Sequence, residues 1–186
     1  MIPSVWKRVA LGALMSAAIA IPASANLALG TKAPMFTATA SMAGKEFKFS
    51  LADALKKGPV VLYFYPAAFT PGCTIEAHNF AEAMDQYTAA GATVIGVSHD
   101  PIEKLDQFSV SECRNKFAVA ADADASIMKS YEAVSDQNPE RAARTSYVIA
   151  PTGEILYSFT DRTPDQHVPN TLAVVQKWAK DHPKKS

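Results

Sequence analysis

Val60 to Tyr65 is a run of six residues in which every side chain is apolar or aromatic. Successive side chains of a strand point to opposite faces, so a strand apolar at every position must be covered on both. Such a strand belongs in the middle of a sheet with helices on either side. Thr93 to Ser98 reads as a second central strand, and helical and extended segments alternate through the rest of the chain. That alternation predicts an α/β domain with a mixed, partly parallel sheet flanked by helices.

The remaining elements follow from periodicity and punctuation. Met35–Thr39 and Glu46–Phe49 flank Ala43-Gly44 and form a hairpin at the N-terminal side of the domain. Ser50 caps a short helix that runs through Lys57. Thr74 to Ala89 is a helix whose buried face carries Ala77, Phe80, Ala81, Met84 and Tyr87, and Gly91 ends it. Asp100 and Pro101 are the N-cap and first residue of a helix reaching about Lys116. Phe117–Ala121 is a short strand and Ala125–Tyr131 a short helix, followed by a polar loop from Ser135 to Ala143. Two strands then surround a Pro151–Glu154 turn, and Val168 to His182 is the last helix.

The first residues are not expected to enter this fold. Lys7 and Arg8 precede an apolar stretch from Val9 to Ile21, and Ala23-Ser24-Ala25 supplies a small-x-small cleavage site, so residues 1–25 read as a signal peptide. The domain is then 26–186, and the chain is expected to be exported, to the periplasm in a Gram-negative cell. Removing the segment takes away two bases and no acid, so the 18 bases and 18 acids of the whole chain become a slight acidic excess. A balance so close to neutral argues against nucleic-acid binding. An exported chain with two cysteines, Cys73 and Cys113, is a candidate for one disulfide, and the lack of a Cys-x-x-Cys pair sets it apart from disulfide exchangers. The four histidines are scattered and have no metal-site spacing.

The chemistry is concentrated just after the first central strand. A turn through Pro66 and Pro71-Gly72 delivers Cys73 to the start of a helix beginning at Thr74. A thiol there meets unpaired backbone N–H groups and the positive end of the helix dipole, which favour its thiolate. Thr70 supplies a hydroxyl that can donate and accept at once. An arginine would add fixed, permanently charged donors for a developing anion.

Pro66-x-x-x-Thr70-x-x-Cys73 resembles the peroxidatic motif of the peroxiredoxins, and the fuller stretch from Tyr65 to Glu76 is similar to their bacterioferritin-comigratory, or PrxQ, branch. Arg144-Thr145-Ser146-Tyr147 resembles the family's arginine segment, with Arg141 three residues out of phase. The resemblance spans roughly Gly30 to Trp178. It implies a thioredoxin-like fold with an added N-terminal hairpin, and a thiol-dependent peroxidase acting on hydrogen peroxide and organic hydroperoxides without metal, haem or flavin. In that reading Cys73 attacks the peroxide, Pro66 shields it, Thr70 orients the substrate and Arg144 stabilises the charges. A thioredoxin-like or glutaredoxin-like protein is the implied reductant. The chain has neither a C-terminal cysteine nor a Tyr-Phe tail, so a monomer or weak homodimer is expected.

The second cysteine breaks the common pattern. Many PrxQ members carry a resolving cysteine five residues after the first, where this chain has His78. A smaller set places it on a later helix, as Cys113 is expected to be. The apolar face around Cys113 suits a resolving, a structural or an inert core cysteine alike. His78 is turned about 140° from Cys73 on the helix and is not expected to act on it. Glu76 is expected to favour the helix start as an anion. A one-cysteine peroxidase and a non-catalytic binding or holdase module of the same fold remain open alternatives.

Overall fold

The computed structural model describes residues 26–183, so the segment expected to be a signal peptide, residues 1–25, lies outside the described residues. The sheet is built around β3 (Val60–Phe64), whose residues are all buried. Along it Val60, Leu62 and Phe64 enter one apolar layer, and Val61, Tyr63 and the following Tyr65 enter the other. Strict period-two alternation thus divides the core in two, as the sequence of the run demands. β4 (Thr93–Ser98) pairs parallel with β3, and β5 (Ala118–Ala121) pairs parallel with β4.

On the other side β6 (Thr145–Ile149) runs antiparallel to β3, and β7 (Ile155–Thr160) antiparallel to β6. The hairpin of β1 (Thr37–Met42) and β2 (Lys45–Ser50) joins through β1 to β5, giving seven strands in the order β2-β1-β5-β4-β3-β6-β7. One face carries α2 (Pro71–Ala89), α3 (Ile102–Ser111) and α5 (His167–Asp181), and the other carries α1 (Leu51–Leu55) and α4 (Ser126–Ser130). This is the mixed sheet with flanking helices and an N-terminal hairpin that the thioredoxin-like reading requires.

Local sequence explains most boundaries. Met42 pairs with Lys45 across a two-residue turn, and Ala43 and Gly44 both take positive φ, 53° and 73°, the I′-type geometry that matches strand twist. The Ser109 hydroxyl of α3 accepts from the Gly44 amide at 2.9 Å, fastening the hairpin tip to the helix. Ser50 accepts from the Asp53 amide and caps α1 as expected.

Three expectations need correction. α2 starts at Pro71 rather than Thr74, because proline is favoured in the first turn, where its missing N–H has no partner to lose. Pro101, not Asp100, is the N-cap of α3, since the Asp100 carboxylate is engaged elsewhere. α3 also ends at Ser111 instead of near Lys116, and Arg114 and Asn115 take left-handed φ of 52° and 59°. Cys113 therefore lies in the turn between α3 and β5, not on a helix.

Candidate active site

Beyond Tyr65 the chain turns through Pro66–Thr70 into α2. The Asp100 carboxylate holds this turn, accepting from the Ala68 amide at 2.7 Å and from the Ser98 hydroxyl at 2.9 Å at the end of β4. Lys104 donates to its other oxygen at 2.7 Å. Phe69 adopts a left-handed φ of 66°, and its ring meets Phe108 edge-on with centroids 5.2 Å apart. Thr70 is the N-cap of α2, but its hydroxyl donates to the Ala67 carbonyl at 2.9 Å and leaves its lone pairs available to a donor. Cys73 falls in the first turn of α2 and is almost wholly buried.

β6 delivers the arginine. Its antiparallel register sets Thr145 opposite Phe64, so Arg144 emerges beside the carboxyl end of β3, where Cys73 also lies. The sequence permitted this arrangement through the short turn between β6 and β7, and the register realises it. The guanidinium is held from three sides. Nε donates to the Arg162 carbonyl at 3.0 Å, Nη1 donates to Glu76, and Nη2 donates to Cys73 Sγ at 3.5 Å. Gly72 makes room for it, since a Cβ there would lie 2.9 Å from Nη2. Arg141 is exposed and stands outside this group.

Glu76 is the residue that sequence reasoning misplaced. It is expected only as an anion favouring the helix start, and it is completely buried beneath Arg144. The signal lay in spacing: Cys73, Glu76, Ala77 and Phe80 follow the i, i+3, i+4, i+7 pattern of one helix face. Burial pushes the Glu76 carboxyl up to about 8 against the lowering pull of Arg144. Burial alone would lower Arg144, but Glu76 and Cys73 outweigh it and raise the guanidinium above its ordinary value. A positive charge is thereby fixed at the sulfur.

His167 also has no counterpart in the sequence reading as a site neighbour. It is fully buried, exchanges a hydrogen bond with the Ser146 hydroxyl at 2.8 Å through Nδ1, and lies 3.7 Å from Glu76 Oε1. Nε2 faces the Asp161 carbonyl, which can only accept, so Nε2 carries the proton and Nδ1 accepts from Ser146. Burial lowers its pKa to about 4, which keeps the ring neutral.

An open cavity of about 670 Å³ reaches this group, lined in part by Pro66, Val134, Ala143, Arg144, Thr160 and Arg162. Pro66, Thr70, Cys73 and Arg144 thus gather at one end of the sheet. Cys113 is fully buried in the same apolar layer as Cys73, and both thiols are free. His78 turns away from Cys73 and pairs with Glu112 at 2.9 Å.

The pattern that defines the AhpC/TSA family matches residues 29–158. Over 148 residues the chain is 34% identical to the chloroplastic Peroxiredoxin Q of Triticum aestivum, covering 79% of this chain and 66% of that protein. The chain thus spans about two thirds of the length of that plant relative. It is 33% identical over 129 residues to Peroxiredoxin Bcp of Escherichia coli, covering 66% of this chain and 79% of that one. The crystal structure of Peroxidoxin BcpB from Mycobacterium tuberculosis superposes with a TM-score of 0.72 and 27% identity, over 80% of this chain and 96% of the other. On sequence and fold together, the chain belongs to the AhpC/TSA family, in its bacterioferritin-comigratory/PrxQ branch.

Proposed function

We propose that the chain is a thiol-dependent peroxidase that reduces hydrogen peroxide and small organic hydroperoxides through Cys73. The observation that carries the reading is the Arg144 fork, with one arm fixed by the buried Glu76 side chain and the other directed at Cys73 Sγ at 3.5 Å. The Cys73 thiolate attacks the terminal peroxide oxygen. An S–O bond forms, the O–O bond breaks, and the departing alkoxide or hydroxide takes up a proton from solvent. Arg144 accompanies the negative charge from sulfur to the leaving oxygen. The Thr70 lone pairs receive the peroxide O–H and align it, and Pro66 screens the sulfur from bulk water.

Cys113 then condenses with the Cys73 sulfenic acid. The S–O bond gives way to a disulfide, and hydroxide leaves with the Cys113 proton as water. A thioredoxin-like or glutaredoxin-like dithiol returns both cysteines to thiols. The protein works as a monomer or weak homodimer outside the cytoplasm, in the periplasm of a Gram-negative cell, once residues 1–25 are removed. The complete burial of Cys113 favours one other reading, a one-cysteine enzyme whose sulfenic acid is reduced directly by an external thiol.

Mass spectrometry of the exported protein after one equivalent of peroxide tests the whole sequence. A mature chain starting at Asn26 with a Cys73–Cys113 disulfide is expected. Cys113→Ser should be oxidised once at the normal rate and then accumulate sulfenic and sulfinic acid at Cys73. Cys73→Ser should not consume peroxide at all, and turnover by that variant would remove Cys73 from the reaction. Undiminished cycling of Cys113→Ser with a dithiol donor would leave the one-cysteine enzyme.

A further inference from the structure

The turn that carries Cys113 is tied to the helix that carries Cys73 by three side-chain pairs in register, two between opposite charges and one between a histidine and a carboxylate. His78, Glu82 and Asp85 are spaced i, i+4, i+7 along one stripe of α2. Their partners are the alternate residues Glu112, Arg114 and Lys116, at 2.9, 3.1 and 4.0 Å. The innermost pair is the best sheltered and adjoins Cys113, with side-chain exposures of 34% and 17%. One acid followed by two bases on the turn faces one histidine followed by two acids on α2, so the two rows match in this direction and not in the reverse.

The clasped turn is strained. Arg114 and Asn115 are consecutive non-glycine residues in the left-handed region, which costs each of them free energy that an extended or unwound segment would recover. Its own backbone bonds are few: the Glu112 and Cys113 amides to Phe108, the Asn115 amide to Ser109 and the Lys116 amide to Cys113. Inside the clasp the Cys113 thiol is inert. Burial pushes its pKa well above the ordinary range, and the Glu112 carboxylate pushes the same way. Outside it the thiol would regain ordinary acidity and reach, both of which a nucleophile needs.

Building on Cys113 as the resolving residue, we propose that the pairs His78–Glu112, Glu82–Arg114 and Asp85–Lys116 form an ionic clasp whose opening sets the rate of disulfide formation. These are positioning residues, remote from the reacting peroxide. Peroxide is uncharged and meets Cys73 before the clasp must open. The first chemical step should therefore be indifferent to the clasp, and the second should be governed by it.

Acid-quench mass spectrometry on the millisecond-to-second scale, after one equivalent of hydrogen peroxide, separates the two steps. Raising the salt concentration should accelerate conversion of sulfenic acid to disulfide by about three- to ten-fold, since exposed pairs are weak singly and screened by salt. Formation of sulfenic acid should stay constant. Glu82→Arg and Arg114→Glu place like charges face to face, and each should also accelerate the second step. The double variant Glu82→Arg/Arg114→Glu restores the pairing with its sign reversed and should return both the wild-type rate and its salt dependence. A second step unmoved by either single variant, or a double variant as fast as the singles, would overturn the clasp while leaving Cys113 as the resolving residue. Equal acceleration of both steps would also overturn it, by reducing the pairs to general stability. The absence of any disulfide in the wild type would instead remove the resolving role of Cys113, and the clasp with it.

Discussion

Around Arg144 each neighbour has a separable task, and substitutions can take them apart one at a time. Arg144→Lys keeps a charge but cannot serve Glu76, the Arg162 carbonyl and Cys73 together, because an ammonium lacks the planar fork. Its peroxide-reduction rate should fall ten-fold or more, about 1.4 kcal/mol of transition-state stabilisation. Gly72→Ala probes position rather than charge. The new methyl would lie 2.9 Å from Nη2, and the flexible end of the arginine is the part able to move. Alanine suits a helix better than glycine, which offsets the disturbance of the buried Arg144–Glu76 pair, so the melting temperature should change little while the peroxide rate drops at least about ten-fold. Stopped-flow oxidation beside a thermal melt checks both halves. A normal rate would mean that the approach of Nη2 to the sulfur is not needed. Cys73, Thr70, Pro66 and Arg144 were legible in sequence because each belongs to a local motif. Gly72 and Glu76 were less so, because what they touch is 68 or more residues away.

At the level of elements, punctuation and periodicity located the strands and most helices well. The hairpin is an example, since Ala43-Gly44 between alternating segments could close only one way. Gly44 holds a φ of 73°, and an added Cβ would sit 3.1 Å from Val110 of α3. Gly44→Ala should therefore cost about 1–2 kcal/mol, seen as a lower urea midpoint at unchanged m-value, with the site at the far end of β3 unaffected. An unchanged midpoint would mean that the hairpin does not need this backbone geometry. The end of α3 could not be read in the same way. Glu112 to Lys116 suit a helix by composition, yet the chain leaves it there to place Cys113 inward and three charged side chains toward α2. Tertiary contacts overrode local propensity in that segment.

Across the whole molecule the two apolar layers bury ionisable groups whose protonation links stability to pH. His167 has a pKa lowered from 6.5 to about 4 by burial, so the unfolded chain binds the proton more readily. Its contribution is present above pH 6.5 and is lost as pH falls toward 4. Glu76 acts with the opposite sign, because a pKa raised from 4.5 to about 8 disfavours the folded state as pH rises through that range. The two overlap, so the test is a comparison. Between pH 7 and pH 5 wild type should lose about 2 kcal/mol more than His167→Gln, measured by urea denaturation. Parallel profiles for the two proteins would show that His167 does not carry this linkage. What the sequence determined by itself was whatever short-range physics controls: a two-faced central strand, a tight hairpin, and a thiol in the first turn of a helix. The tertiary structure alone decided which charges meet. The antiparallel register of β6 brought Arg144 to Cys73, a buried face of α2 placed Glu76 beneath it, and the docking of α5 set His167 behind both. Those pairings join residues far apart in the chain, and no local period or motif encodes a contact whose partner is selected by packing.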